Sequence, residues 1–258
     1  MLTTDQAIAV VTGAAALVTA IATLLTVREM GIQREASQRP DLVPVDEFLR
    51  GVADSTENLA ALRWFRRETG ESPERWSGIT FFNLGAAPAK NVKAKWNIDV
   101  ESCCKVINEL AQRTLTPLYV KYSGEGLQLL SIEGKNVPAE THSVKNQLSD
   151  SWPYVLPASL DSTGLLVPVP PFFLRLYSLG LALESRVSKR EGARRSSLSF
   201  DLSATLELGY SDLGGSYHSK HFQLPLSLSF AKFGPVDSDI GPWVSECVLK
   251  IHLRETKS

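Results

Sequence analysis

Cysteine and histidine are scarce in this chain of 258 residues, which has three and four of them. Cys103 and Cys104 are adjacent, and adjacent cysteines rarely bond to each other. An odd cysteine count is typical of a reducing compartment rather than of disulfide-rich secreted proteins. We interpret His218 and His221 as solvated loop residues, whose spacing in a strand would place them on opposite faces. We therefore expect no disulfide framework and no metal site.

The sequence also lacks catalytic signatures. It contains no Gly-x-Ser-x-Gly elbow, no Gly-rich phosphate-binding loop and no His-Glu-x-x-His helix. The net charge is −1, so the overall field gives no reason to expect a nucleic-acid partner. We expect no catalytic residue, no cofactor and no sequence-specific nucleic acid. A hydrolase whose site is assembled from residues distant in sequence is the enzyme alternative.

Against these absences stands one long uncharged run, from Ala7 to Val27. As a helix it would span about 31 Å, at about 1.5 Å per residue, which matches the hydrocarbon core of a bilayer. It has no polar face, unlike a helix that lies flat on a membrane. We predict a transmembrane helix over residues 7–27, preceded by a short tail over residues 1–6. A cleaved signal peptide and a buried helix of a soluble protein are the alternatives.

The residues that flank this run predict its orientation. No Lys or Arg precedes it, whereas Arg28, Arg34 and Arg39 follow it closely. Positive residues stay on the cytoplasmic side, so we expect a single-pass protein of the inner (cytoplasmic) membrane with its amino terminus outside. The helical pattern continues as a juxtamembrane extension over residues 28–39. The remaining domain, residues 40–258, would then lie in the cytoplasm.

Small residues recur at every fourth position of the predicted membrane helix, a spacing that lets two such helices approach closely. They form two neighbouring stripes, of which one contains Thr12, Ala16 and Ala20 and the other contains Ala9 and Gly13. We predict that these stripes pair anchor helices into a homo-oligomer. Chance spacing in an Ala-rich helix is the alternative.

The domain of residues 40–258 shows alternating strand patterns. The clearest covers residues 198–210 and resumes over residues 217–230 after a Gly-rich turn, which predicts a long β-hairpin. Pro225 interrupts the second strand and indicates an edge or a bulge.

A second pair of strands is predicted over residues 79–83 and 92–100, with Trp96 on the buried face. Pro171 favours the start of a short buried helix, over residues 171–184. We therefore predict a mainly β fold, an antiparallel β-sandwich with a short helix, preceded by one long N-terminal transmembrane helix.

Two short motifs accompany these strands. One is an Asn-x-Gly…Ala-x-Asn-Val pattern, and the other approximates Tyr-x-Asp-x-x-Gly-x-x-Tyr with the second Tyr off by one. Their residues are Asn83, Gly85, Ala89, Asn91 and Val92, and Tyr210, Asp212, Gly215 and Tyr217. The chain thereby resembles bacterial single-pass membrane proteins with an immunoglobulin-like (adhesion-type) β-sandwich domain. The resemblance implies an immunoglobulin-like fold, in which the first motif links two strands, and it carries over no activity.

A basic segment lies between the predicted helix and the hairpin. Its cations are Arg186, Lys189, Arg190, Arg194 and Arg195. A solvated linker is one interpretation. The other is a loop that contacts anionic lipid headgroups or an anionic partner.

Together these patterns predict a membrane-anchored binding or scaffold protein that presents a cytoplasmic β-sandwich and performs no catalysis. Its contacts would be the lipid bilayer, through residues 7–27, and an unknown protein or a small anionic ligand. The main alternative is a ligand-controlled membrane effector whose anchor helices cluster.

Overall fold

The computed structural model describes residues 4–37, 39–53, 62–66, 77–124, 126–131, 141–144, 147–191, 200–233 and 244–256. The helices in this part of the chain are α1 (Thr4–Ser37), α2 (Val100–Arg113) and α3 (Pro171–Glu191). The strands are β1 (Leu42–Pro44), β2 (Glu47–Ala53), β3 (Leu62–Arg66), β4 (Gly78–Asn83), β5 (Ala89–Asn97), β6 (Leu118–Tyr122), β7 (Gly126–Ser131), β8 (Thr141–Ser143), β9 (Ser149–Val155), β10 (Leu165–Pro168), β11 (Ala204–Ser211), β12 (Tyr217–Leu224), β13 (Leu226–Phe233), β14 (Val244–Ile251) and β15 (Arg254–Thr256).

The strands pair into four antiparallel sheets. Sheet I has the order β1-β4-β10, sheet II β15-β12-β11-β5-β9, sheet III β13-β14-β2-β3 and sheet IV β6-β7-β8. The predicted mainly β class with antiparallel sheets, preceded by one apolar helix, is confirmed. The immunoglobulin-like arrangement stays a prediction.

Sheets I and II face each other across a shared core. The rings of Phe81 in β4 and Phe222 in β12 meet edge to face, with centroids 5.5 Å apart. Trp96 in β5 is buried, as predicted, and its indole Nε1–H donates to the carbonyl of Pro168 at the end of β10 (2.9 Å). The core of the domain therefore includes the space between these two sheets.

Helix α3 confirms the predicted helix at Pro171 and extends it to Glu191. Phe172 and Leu176 are fully buried, so the first half of α3 is a core helix. Gly180 lies inside it despite its low helix propensity. A Cβ added at Gly180 would lie 2.6 Å from the ring of Phe200, so close packing explains the glycine.

Helix α2 is missing from the sequence-based prediction, which continued a strand to Val100. Strand β5 ends at Asn97, and Asp99 caps α2 by accepting a hydrogen bond from the Ser102 amide (3.0 Å). The buried positions of α2 recur every three or four residues, which is the helical period. They are Val100, Cys103, Cys104, Ile107, Leu110 and Ala111.

The predicted hairpin is confirmed as β11 and β12, which pair from Ala204↔Leu224 to Ser211↔Tyr217. The predicted second strand, over residues 217–230, is two strands, because Pro225 lies between β12 and β13 and these belong to different sheets. Strand β13 is an edge strand of its sheet, which agrees with the edge alternative predicted at Pro225. The loop assignment of two histidines is wrong. His218 and His221 lie within β12 rather than in a loop.

Candidate functional site

The anchor is the first candidate feature. Over residues 12–33, α1 is long and apolar enough to cross a membrane, and none of this stretch is buried against the rest of the protein. Leu24 is 70% exposed. The hydroxyls of Thr19 and Thr23 donate to the carbonyls four residues earlier (2.9 and 2.8 Å), which satisfies them within the helix. The helix begins at Thr4, inside the stretch predicted as a tail.

The predicted pairing stripes lie on this helix. Thr12, Ala16 and Ala20 are exposed along α1. Ala9 and Gly13 belong to the same helix, and a Cβ added at Gly13 would meet no atom within 4 Å. The surface is therefore open to a neighbouring helix, and pairing stays a prediction.

The predicted basic segment does not form one loop. The backbone of Arg186, Lys189 and Arg190 belongs to the last turns of α3. Arg194 and Arg195 lie outside the described residues. The loop interpretation is wrong for the first three residues, and a lipid or anion contact stays a prediction.

A dense set of contacts holds the segment that follows the anchor. We call this segment, residues 39–42, the anchor joint. The amide of Asp41 donates to Asn83 Oδ1 (3.0 Å), and the amide of Leu84 donates to the Asp41 carbonyl (2.8 Å). Lys220 Nζ lies 2.6 Å from Asp41 Oδ1 and donates to the Leu42 carbonyl (3.2 Å). The joint is thus fixed by side chains from sheets I and II.

Both short motifs of the sequence contribute to this joint. A Cβ added at Gly85 would lie 2.1 Å from the Arg39 carbonyl oxygen, so only glycine lets the joint pass there. The hydroxyl of the buried Tyr210 donates to the Pro40 carbonyl (3.5 Å). Gly85 of the first motif and Tyr210 of the second therefore contact the same segment, the anchor joint, which the sequence alone did not predict.

The remaining residues of the second motif form its turn. Asp212 Oδ1 accepts a hydrogen bond from the Ser216 amide (2.9 Å), and Gly215 adopts a φ of 87°, which favours glycine. The hydrogen bond with His218 (3.1 Å) holds the pKa of Asp212 below its usual value. The motif is explained by turn chemistry.

Asn83 connects the joint to the end of β9. Its side-chain amide also donates to the carbonyls of Ala87 (2.8 Å) and Val155 (3.3 Å). Its own carbonyl accepts from the Ala158 amide (2.8 Å). One buried side chain thus fixes the anchor joint and the strand end beyond it.

Next to that strand end lies a groove of about 430 Å³ between β9 and β10. Both strands are edge strands of their sheets. Asp150 and Trp152 pair with Ala94 and Val92, whose side chains are buried, so they lie on the inner face of sheet II. The groove is lined by Asp150, Trp152, Tyr154, Val155, Leu156, Asp161, Gly164, Leu165, Leu166 and Pro168.

The groove contains negative charge. Burial raises the pKa of Asp150. Asp161 accepts hydrogen bonds from the hydroxyl (2.6 Å) and the amide (2.9 Å) of Thr163, which lower its pKa and keep it ionised. No Lys or Arg is among the described residues that line the groove.

A second recess lies on the outer face of sheet II, with a volume of about 520 Å³. Here Lys93 and Lys95 pair with Ser151 and Ser149, and Lys95 also pairs with Glu207. Charges of both signs meet in this outer recess, which therefore has no strong preference for an anion or a cation. Its described lining places no histidine beside the two serines.

Sequence reasoning missed the groove. The available signal was the alternation of Asp150, Trp152 and Tyr154 over β9, but only the fold brings β10, from another sheet, to the other side of the groove. Within the described ranges, no group of three or more His, Cys, Asp or Glu side chains could hold a metal ion. Comparisons with family models, with curated proteins and with solved structures give no match to this chain.

Proposed function

We propose that this chain is a membrane-anchored binding protein, in which α1 crosses the inner membrane once and the β-rich domain binds a partner beside it. The observation that carries the proposal is the exposed apolar length of α1 over residues 12–33. Burying one Leu side chain such as Leu24 in an apolar medium is favourable by about 1.5–3 kcal/mol. A bilayer is the medium that would cover all sides of this helix at once.

We place the domain in the cytoplasm. Arg28 and Arg39 follow the apolar run, and no Lys or Arg precedes it. The buried thiols of Cys103 and Cys104, which form no disulfide, suit a reducing compartment. The anchor joint then holds the domain against the cytoplasmic face of the membrane.

We also propose that the domain is immunoglobulin-like, because its first motif connects strands of two packed sheets. The loop after Asn83 carries the chain from β4 in sheet I to β5 in sheet II. This is the connection that the resemblance implies. The two sheets pack through Phe81 and Phe222, which supports a sandwich.

Binding rather than catalysis is the proposed activity of the domain. The groove between β9 and β10 combines aromatic, aliphatic and carboxylate side chains, a composition typical of ligand sites. The outer recess offers Ser149 and Ser151, but a serine nucleophile needs an adjacent base, and its described lining provides no histidine for that role.

Determining the membrane topology of the chain with a reporter fusion tests this proposal. A reporter that is active only in the cytoplasm is fused to the carboxyl end of the full chain in a bacterial host. We expect activity in the membrane fraction. Reversing the flanking charges, with Arg28→Gln and Arg39→Gln plus Lys inserted before residue 7, should reduce it. Activity confined to the soluble fraction, or to a reporter that works only outside the cytoplasm, would contradict the proposal.

The second candidate function is the ligand-controlled effector whose anchors cluster. The exposed Thr12, Ala16 and Ala20 stripe favours it. Ala16→Cys in native membranes should form a disulfide-linked dimer under oxidising conditions, whereas Val18→Cys, on the face opposite both stripes, should not. A strict monomer for both variants, with and without added ligand, leaves the simple anchored binder.

A further inference from the structure

We propose that the groove between β9 and β10 binds an organic cation, a guanidinium or alkylammonium group held by Trp152, Tyr154, Asp150 and Asp161. This inference rests on the proposed binding function and names the class of ligand that the groove would take.

Aromatic and acidic residues of β9 line one side of the groove. Asp150 and Trp152 occupy alternate positions, about 7 Å apart, and pair with the buried Ala94 and Val92, so their side chains project to the same side. Tyr154 pairs with the exposed Lys90 and also lines the groove. Trp152 is half-buried and Tyr154 is 60% exposed. A flat cation that enters here can lie against an aromatic face with a carboxylate at its edge, which is the geometry of cation–π recognition.

The charge balance of the groove selects the sign of the ligand. Asp161 is held in its ionised form by Thr163, and Asp150 is a carboxylate whose charge is disfavoured by burial. The lysines of the neighbouring strand, Lys93 and Lys95, pair with Ser151 and Ser149 on the outer face. They line the outer recess, which Asp150 also lines, and not the groove. A cation in the groove would meet two carboxylates and no Lys or Arg among the described lining residues.

The apolar wall limits the shape of the ligand. Leu165, Leu166 and Pro168 of β10 line the groove together with the aromatic residues of β9. A volume of about 430 Å³ admits a short alkyl chain behind the charged group. A fully hydrated metal ion would leave this wall without a contact, so the groove fits an amine or a guanidine with an aliphatic stem.

Isothermal titration of the full chain in lipid nanodiscs tests the inference with matched probes. Butylguanidine, with one positive charge, serves as a free guanidinium, and the peptide acetyl-Gly-Gly-Arg-Gly-Gly-amide as a side-chain guanidinium of the same charge. The same peptide with citrulline, a neutral isostere, is the control. We expect either cation to bind at least about fivefold more tightly than the citrulline peptide, and binding to weaken as salt rises. The cation that binds more tightly identifies the source.

Variants locate the binding to the groove. Asp150→Asn and Trp152→Ala should each weaken it by about fivefold or more, and Leu160→Ala, an exposed residue outside the lining, should leave it unchanged. Thermal unfolding checks that each variant is folded. If Asp150→Asn is not folded, Asp161→Asn replaces it, and if Trp152→Ala is not folded, Tyr154→Ala replaces it. Equal binding of arginine and citrulline peptides, binding of neither cation, or binding that no groove variant weakens would overturn the inference. Anchoring is scored separately, by recovery of the chain with the nanodisc.

Discussion

Two apolar helices of this chain have opposite environments. In α1 the large side chains are exposed, with Leu17 at 64% and Leu24 at 70%, whereas Phe172 and Leu176 in α3 are fully buried. The sheets and α2 cover α3, and nothing in the described structure covers α1 over residues 12–33. An apolar helix is stable in an apolar environment. The domain provides that environment for α3, so for α1 we infer that something outside the protein provides it.

A charge placed in each helix gives the largest expected contrast. Leu176→Lys buries an unpaired charge and should cost about 4–5 kcal/mol or more, a large share of the stability of a domain. Leu24→Lys should leave the thermal midpoint of the domain unchanged and should weaken membrane insertion by about 2.5–3.5 kcal/mol. Thermal unfolding in detergent and membrane fractionation measure the two effects. Similar loss of domain stability for both variants would remove the contrast.

The next largest expected effect is a loss of domain stability when the anchor joint, between the exposed α1 and the packed domain, loses its contacts. Asn83→Ala removes the acceptor of the Asp41 and Gly85 amides and the donor to the Val155 carbonyl. Leaving these groups, which are partly or fully buried, unpaired should cost about 3 kcal/mol. Chemical denaturation measures it, with the exposed Asn97→Ala as the control. If both variants unfold at the same denaturant concentration, Asn83 does not hold the joint.

One glycine in each helix provides a finer comparison. Gly180→Ala in α3 places a Cβ 2.6 Å from the ring of Phe200 and should cost about 2 kcal/mol through overpacking. Gly13→Ala in α1 meets no atom within 4 Å, so the domain should keep its stability. Unfolding of both variants in the same detergent tests the pair. A stabilising Gly180→Ala would contradict the packing around α3.

Alkaline pH should act on the domain and not on α1. Burial raises the pKa of Cys103 to about 12 and that of Cys104 to about 11. In the unfolded chain these thiols ionise near their ordinary pKa of 9.0, so their contribution is complete below pH 9 and is lost as pH rises towards 11. The thermal midpoint should fall over that window, and Cys104→Ala should flatten the fall. Residues 7–27 contain no ionisable side chain, so α1 should stay in the membrane.

Sequence patterns predicted the elements that residues close in sequence determine. The uncharged run of α1, the alternation of β11 and β12, and Pro171 at the start of α3 were all readable from residues close in sequence. The sequence does not predict helix α2, because the alternation from Val92 continues to Val100 and hides the Asp99 cap at which the helix begins.

Long-range contacts could not be predicted in the same way. Asn83 bonds to Asp41, which lies 42 residues earlier, and Lys220 bonds to the same Asp41 from 179 residues away. The groove needs β9 beside β10, which belong to different sheets. Sequence patterns identify each strand, but only the fold places Trp152 near Leu165 and Asp161.

Alkaline carbonate extraction of membranes that contain the full chain tests the central claim most directly. The account predicts that the chain stays in the membrane pellet even where high pH destabilises its domain, and that combining Leu17→Lys with Leu24→Lys releases it. Release of the unchanged chain into the supernatant would show that α1 does not cross the bilayer and would contradict the account.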